Sequence, residues 1–346
     1  MLALQAVTPA DLVREVPGVS LSEARKLIAA VHRGEPVAPG SAVRRSAASA
    51  VAAAGHVPVL AMEAETASAI DPFVKYLLAA PDGARFEAVR IPLEHPGRVT
   101  VCVSSQVGCA LACAFCATGR LGLGRNLAAW EIIEQVRVVR ARLAHGRRIH
   151  GVVFQGMGEP LANLDAVIQA IRVFSEPCAL GIDARAITVC TAGLPGGIRR
   201  LAAEAPRVRL AISISSAIAA HRKAVMPIAL RHDLEDVLAA AADHARATGL
   251  SPMWAVTLLD GVNDGGADAD ALAARAIGFH AATGVRPRIS LLDYNPIGGD
   301  DRFGRSPRMA AFRDVLSAAG LASHRRYSGG SDVAAACGQL ASTGAL

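Results

Sequence analysis

The sequence predicts an α/β protein, a partial (β/α)6 barrel of the TIM type behind a small helical unit. Three observations carry this. After Cys116, short strand-like apolar runs alternate with stretches at helical spacing, about six β-then-α units in series. The 346 residues are 52% hydrophobic, enough for a large core and too apolar for a disordered chain. The first βα turn has no G-x-G-x-x-G, which counts against the alternative, a doubly wound open sheet.

Residues 1–60 read as a helical accessory unit. Ser20-Leu21-Ser22-Glu23 has capping-box spacing, and Leu27, Ile28 and Val31 form one apolar stripe behind it. Gly34, Pro36, Pro39 and Gly40 break the pattern before an Ala/Val-rich stretch from Ser46 to about Ala54. Residues 61–94 read as strands and turns connecting to the barrel, with a strand at Phe86–Ile91. The barrel is expected over 95–330. It opens with the turn His95-Pro96-Gly97 and a strand at Val99–Ser104. Ile132, Ile133, Val136, Val139 and Leu143 recur at helical spacing, Gly151–Gln155 is a short buried strand, and Leu164, Val167, Ile168 and Ile171 mark the next helix. Strands follow at Ala186–Cys190, Val208–Ile214, Met253–Leu259 and Arg288–Leu292. Helical stretches lie between them near 197–204, 234–247, 267–282 and 307–319. Residues 331–346 form a C-terminal segment, and the chain has no internal repeat.

Lys and Arg number 36 against 30 Asp and Glu, a net charge of +6 that suits a polyanionic partner. Aromatic residues are only 4%, so a wide base-stacking platform is not expected. If nucleic acid is the substrate, a base is handled in a pocket while Arg holds the backbone. Arg147-Arg148, Arg199-Arg200 and Arg325-Arg326 are the candidate phosphate contacts. No apolar run approaches the roughly 18–20 residues of a membrane span, and the N-terminus lacks a basic n-region. A soluble cytoplasmic protein with no membrane partner is expected.

Of seven cysteines, Cys102, Cys109, Cys113 and Cys116 are close together, while Cys178, Cys190 and Cys337 stand apart. Metal or redox chemistry fits this placement better than a disulfide framework. Cys109-Ala-Leu-Ala-Cys113-Ala-Phe-Cys116 is C-x3-C-x2-C. Soft sulfur ligands select iron–sulfur clusters, zinc or copper(I). A [4Fe–4S] cube normally takes four cysteines, so three leave one iron open. A structural zinc site with a remote fourth ligand, or three buried cysteines, are the bland alternatives. Alone, Cys102 on a strand and Cys337 near the end of the chain would read as small core residues.

With its aromatic before the last cysteine, the motif resembles the signature of the radical S-adenosylmethionine (SAM) superfamily. The surrounding Ser104-Ser105-Gln106-Val107-Gly108-Cys109, Ala117-Thr118-Gly119 and Arg125-Asn126-Leu127 resemble the RlmN/Cfr family of RNA adenine methyltransferases. The likeness continues collinearly through Gly156-Met157-Gly158-Glu159-Pro160-Leu161, Met226-Pro227-Ile228, Gly261-Val262-Asn263-Asp264, Tyr294-Asn295-Pro296 and Ala335-Ala336-Cys337-Gly338-Gln339-Leu340. It covers roughly residues 86–341.

The resemblance implies a radical SAM barrel whose [4Fe–4S] cluster is held by Cys109, Cys113 and Cys116, with SAM on the open iron. It implies two SAM per turnover: one methylates Cys337 to S-methylcysteine, and the other yields the radical that activates that methyl to attack adenine. Cys102 then resolves the protein–RNA crosslink by a transient disulfide with Cys337. Glu87 accepts the proton from the adduct carbon, and Glu94 is the nearest other carboxylate. Gly158, Glu159, Cys190, Ser213, Ile214, Ser215 and Asn295 are implied to bind SAM. The implied substrate is adenine C2 of 23S rRNA, with tRNA as a second RNA, and the electron comes from a reductant such as flavodoxin or ferredoxin. Two positions depart from the RlmN pattern, which has Ser at Cys190 and His at Ser215, and residues 215–222 lack its polar pattern. Gly329-Gly330-Ser331-Asp332 is nearer to the Cfr text. C8 methylation, another RNA or a small adenine substrate therefore stand as alternatives. So does an iron–sulfur RNA-binding or sensor protein without catalysis.

Overall fold

In the computed structural model, which describes residues 1–341, the N-terminal unit begins at two reciprocal capping boxes. Thr8 caps α1 (Pro9–Glu15) with Asp11, and Ser20 caps α2 (Leu21–Arg33) with Glu23. The second box is the one the sequence predicts. The first is a further element, unanticipated because Asp stands where a capping box usually has Glu or Gln. Gly34 ends α2 in the left-handed conformation at φ 80°. Glu23 also accepts from the backbone N–H and guanidinium of Arg44, which fixes the start of α3 (Arg45–Ala54) against α2. Leu4, Leu12, Leu27, Ile28, Val31 and Val51 fill a separate small core. Short strands β1 (Leu2–Ala3) and β2 (Gly55–His56) pair in parallel and bring the two ends of the unit together.

β3 (Ala61–Ala67), β4 (Val74–Ala79), β5 (Arg85–Pro92) and β6 (Arg98–Val103) follow as an antiparallel meander. Residues 61–94 thus extend the barrel sheet by three strands. β7 (Gln106–Gly108) and β8 (Leu123–Asn126) pair across the cysteine loop, which also carries α4 (Ala117–Arg120). Six crossovers then alternate helix and strand: α5 (Ala129–Ala141), β9 (Arg148–Phe154), α6 (Leu164–Ser175), β10 (Ile187–Thr191), α7 (Pro195–Glu204) and β11 (Arg209–Ser213). After α8 (Ala219–Val225) and α9 (Leu234–Thr248) come β12 (Met253–Leu258), α10 (Gly266–Thr283), β13 (Arg288–Asp293), α11 (Met309–Ala318) and β14 (Ser323–Arg326).

One ten-stranded sheet has the order β14-β13-β12-β11-β10-β9-β6-β5-β4-β3. From β6 to β14 the strands are all parallel and their spatial order is their chain order. A doubly wound sheet needs a reversal of strand order, and there is none here. Among the described residues β6 and β14 do not pair, so the barrel is partial and open. The main core lies between this sheet and the helices: Val101, Val152, Phe154, Val189, Ile212 and Trp254 face outward into it, Phe154 against Phe174 of α6 and Trp254 against Phe279 of α10. Among the described residues no helix is long and apolar enough to cross a membrane.

Candidate functional site

The C-terminal ends of the parallel strands surround a cavity of about 410 Å³. That edge of a βα barrel is where side chains from different strands converge. Cys109, Cys113 and Cys116 reach it from the loop after β7, and all three line it. Two glycines set that loop. Gly108 has φ +74°, and a Cβ there would lie 1.9 Å from the Gly122 carbonyl oxygen. A Cβ on Gly119 would lie 2.9 Å from the Cys113 backbone nitrogen. Neither position accepts a larger residue without moving backbone. Burial pushes the Cys109 thiol up to about 11 and raises the Cys113 and Cys116 thiols as well.

The chain's C-terminal segment folds back onto the same loop. The Ala117 N–H donates to the Gly338 carbonyl at 2.7 Å, and the Thr118 hydroxyl donates to the Leu340 carbonyl at 2.6 Å. Gln339 donates to the Pro296 carbonyl, and the Cys337 N–H donates to Ser328 Oγ at 2.8 Å. Cys337 therefore lines the cavity together with Cys102, from β6, and Cys190, from β10. Burial is the first cause raising both strand thiols, Cys190 to about 12, and the nearby Cys337 sulfur adds to each. One guanidinium serves this thiol group. Arg326 Nη2 donates to Cys337 Sγ at 3.1 Å and to Gln155 Oε1 at 2.9 Å. The Cys190 sulfur lies 3.6 Å from the same Gln155 oxygen.

Across the cavity, Gly158 and Glu159 follow β9. Glu159 is 3% exposed and accepts from the Leu161 N–H at 2.9 Å and the Ala192 N–H at 2.8 Å. Desolvation raises its pKa, and those hydrogen bonds act in the opposite direction. Ser213 and Ser215 line the cavity beyond the end of β11, while the Ile214 side chain between them sits in the core. Asn295 points elsewhere: its Nδ2 donates to the Cys337 carbonyl and to Ser328 Oγ, both at 3.2 Å. Glu87 on β5 is fully buried next to the cavity rather than lining it. Its Oε1 pairs with Lys75 Nζ at 3.1 Å, and its Oε2 accepts the Ala341 N–H at 2.9 Å. Glu94 is exposed.

The radical SAM superfamily profile matches residues 103–267. The "Probable RNA methyltransferase" of Sorangium cellulosum (strain So ce56) is 58% identical across 94% of this chain and 88% of its own length. The "Dual-specificity RNA methyltransferase RlmN" of Syntrophobacter fumaroxidans is 43% identical across 77% of this chain and 75% of its own. This chain belongs to the RlmN family of radical SAM RNA methyltransferases. The crystal structure of a radical SAM methyltransferase from Sphaerobacter thermophilus superimposes with TM-score 0.87 at 33% identity, covering 99% of this chain and 100% of that one.

Membership of the RlmN family implies a [4Fe–4S] cluster and SAM, and the cavity suits both. Its donor set is soft sulfur, from three thiols on one loop. Among the described residues no three His, Cys, Asp or Glu side chains close on a single-ion position. The cysteines of a cube are spaced more widely, because each binds a different iron. Arg222 adds positive charge beside Cys113: it is 1% exposed, and its pKa is lowered to about 10 by burial. It donates to the Ser213 and Ala192 carbonyls at 2.7 Å each, and to the Ile214 carbonyl.

Sequence reading missed Arg222, Gln155 and Ser328, and it took Arg326 for a surface phosphate contact. The structure corrects the last point, because β14 turns Arg326 inward and Arg325 outward onto Asp293 at 2.8 Å. Period-two alternation along the strand was the available signal. Gly158 explains the tight turn into Glu159: φ is +96°, and a Cβ would lie 2.5 Å from Gln106 Cβ. Gly158→Ala is expected to destabilise this RlmN-family chain by about 1–3 kcal/mol, measured by urea unfolding.

Proposed function

We propose that this enzyme methylates an adenine of RNA at C2, in 23S rRNA and in tRNA as a second substrate, through S-methylcysteine at Cys337. The observation that carries the reading is that Cys337 and Cys102 share a cavity with the C-x3-C-x2-C cysteines. An amidine carbon of adenine is electrophilic and does not attack a sulfonium methyl, so a protein thiolate is the chemically reasonable first acceptor.

Cys109, Cys113 and Cys116 hold the cluster, which supplies the electron that makes SAM a source of a hydrogen-abstracting radical. Gly158 lets a ligand approach the backbone, and the Glu159 carboxylate holds its ammonium group. Cys190, Ser213 and Ser215 complete that pocket with their side chains, Ile214 contributes backbone only, and Asn295 acts on it indirectly through the Cys337 carbonyl. Cys337 would accept its methyl from one bound SAM, and a second would supply the radical chemistry needed for each transfer to the base. Arg326 donates a hydrogen bond to the Cys337 sulfur that accepts the methyl and so orients it. Glu87 takes the proton from the adduct carbon once Ala341 releases its Oε2. The Cys102 thiolate then attacks the Cys337 sulfur: the S–S bond forms, and the S–CH2 bond breaks with its electron pair passing to the adenine-bound methylene. That methylene takes up a proton to become the methyl, and the RNA leaves a Cys102–Cys337 disulfide behind. A cytoplasmic reductant of the flavodoxin or ferredoxin class supplies electrons. Residues 1–60 are the accessory domain, 61–94 the connection, 95–330 the barrel and 331–346 the C-terminal segment carrying Cys337, of which 342–346 lie outside the described residues.

Unmodified rRNA and tRNA incubated anaerobically with reconstituted enzyme, reductant and SAM should yield 2-methyladenosine on nucleoside mass spectrometry. 8-Methyladenosine instead moves the reaction to C8. Neither product, with SAM still cleaved, points to a different adenine substrate and overturns the RNA reading.

A further inference from the structure

Of the three Arg-Arg pairs that the sequence offers to phosphate, two are accounted for by acids or by the thiol pocket. Arg199 pairs with Asp243, Arg200 with Asp165 and Glu204, and Arg325 with Asp293, while Arg326 faces Cys337. Arg147 and Arg148 are exposed, and among the described residues neither forms an ion pair. Together with Arg140 and His150 they line a second cavity of about 490 Å³. Its one acid, Asp183, lies 3.2 Å from Arg207 and is partly neutralised by it.

More positive charge converges from the neighbouring strand starts. Arg98 is the register partner of Arg148 across β6 and β9, and Arg209 begins β11. The field is felt at His150, whose pKa is lowered first by burial and then by Arg98, Arg148 and Arg209. Like charges side by side on adjacent strands work against the fold. An arrangement that costs stability at the surface calls for an anionic ligand to offset it.

We propose that this cavity grips the phosphate backbone of the RNA substrate, away from the base being modified; the proposal rests on the RNA reading above. An acidic protein fits less well. The apolar lining is only Ile149, Leu180 and Ile182, without an aromatic anchor, whereas protein interfaces centre on aromatic and apolar residues with few charges. The position also disfavours an electron donor. Arg148 starts the seven-residue β9 and Gln155 follows its other end, so the two cavities are about 20 Å apart. Roughly six nucleotides cover that distance at about 3.4 Å each. A folded RNA with one base in the upper cavity can therefore reach the lower one along the barrel wall.

The test compares wild-type holoenzyme with the Arg147→Ala/Arg148→Ala variant for binding an unmodified 23S rRNA transcript over a salt series. Each lost phosphate contact lowers the log–log salt slope by about 0.7–0.9, so a decrease of roughly 1.4–1.8 is expected. Affinity at low salt should drop about tenfold or more, with RNA-independent SAM cleavage unchanged and the melting temperature no lower than wild type, because the like-charge pair Arg98/Arg148 is relieved. Arg148→Glu should weaken binding too, and Arg199→Ala/Arg200→Ala should leave the slope as it is. An unchanged slope in an enzyme that still methylates RNA overturns this surface alone. Slower turnover confined to a flavodoxin donor, with RNA binding intact, assigns the patch to an acidic protein and also overturns it. A wild-type enzyme that binds no RNA at any salt overturns the functional reading and this surface together.

Discussion

Cys102→Ala enzyme is expected to accumulate covalently attached to RNA through Cys337, while Cys337→Ala enzyme transfers no methyl at all. The two substitutions must fail differently because the two sulfurs do different things. If they only filled space, Ala at either position would cost a few kcal/mol at most and leave ordinary activity. Both instead face a cavity with the cysteine loop, although more than 230 residues separate them in the chain. Cys337 is brought there by backbone groups, its own N–H donating to Ser328 Oγ and the next residue's carbonyl, Gly338, accepting from the Ala117 N–H, rather than by packing of its side chain. That keeps its sulfur at the Arg326 guanidinium, 3.1 Å away, and leaves the fold largely indifferent to its loss. Cys337→Ala should therefore bind the cluster and cleave SAM slowly, with methyl transfer down by at least about a thousandfold, or roughly 4 kcal/mol. Cys102→Ala can still form the adduct but cannot close the S–S bond, which needs the sulfurs at about 2 Å. A denaturing gel of labelled RNA reads the adduct directly. Cys102→Ala recovered free of RNA with normal turnover would show that another thiol resolves it, and Cys190 is then the one to test.

What the sequence made legible was whatever has a local cause. The Ser20–Glu23 capping box, the three-cysteine spacing and the helix periodicities are set by near neighbours in the chain, and each lies where expected. β3 shows the opposite case. Its Ala-Met-Glu-Ala-Glu-Thr-Ala text lacks the β-branched residues of a typical strand, and pairing with the buried β4 decides its conformation. α8 is similar, a seven-residue helix whose Arg222 is held by the Ser213 carbonyl at the end of β11 and by the Ala192 carbonyl from the loop after β10. Arg326 and Lys75 look like surface cations in the sequence. Their burial comes from strand register against residues far away in the chain, and no local pattern records that.

Lys75→Met is expected to destabilise the protein by about 3–5 kcal/mol, because it removes the ammonium that faces the buried Glu87 carboxylate. Lys75 and Glu87 are 5% and 0% exposed, and their Nζ–Oε1 distance is 3.1 Å. They sit diagonally across β4 and β5, where Leu77 is the direct partner of Glu87 and Val89 that of Lys75. Taking two charges out of water costs several kcal/mol each, so the attraction between them only offsets that cost. Removing both charges should therefore hurt much less than removing one. The double variant Lys75→Met/Glu87→Leu is expected to regain most of the lost stability in urea unfolding. A single-variant loss below about 1 kcal/mol would mean that water screens the pair, and the burial argument would fail. The double variant also separates structure from chemistry at Glu87. If Glu87 accepts the proton from the adduct, this folded enzyme should form the Cys337–RNA crosslink and stall there, with Cys102 intact. If it methylates RNA at the wild-type rate, Glu87 is a structural ion-pair partner only, and the proton leaves by another route.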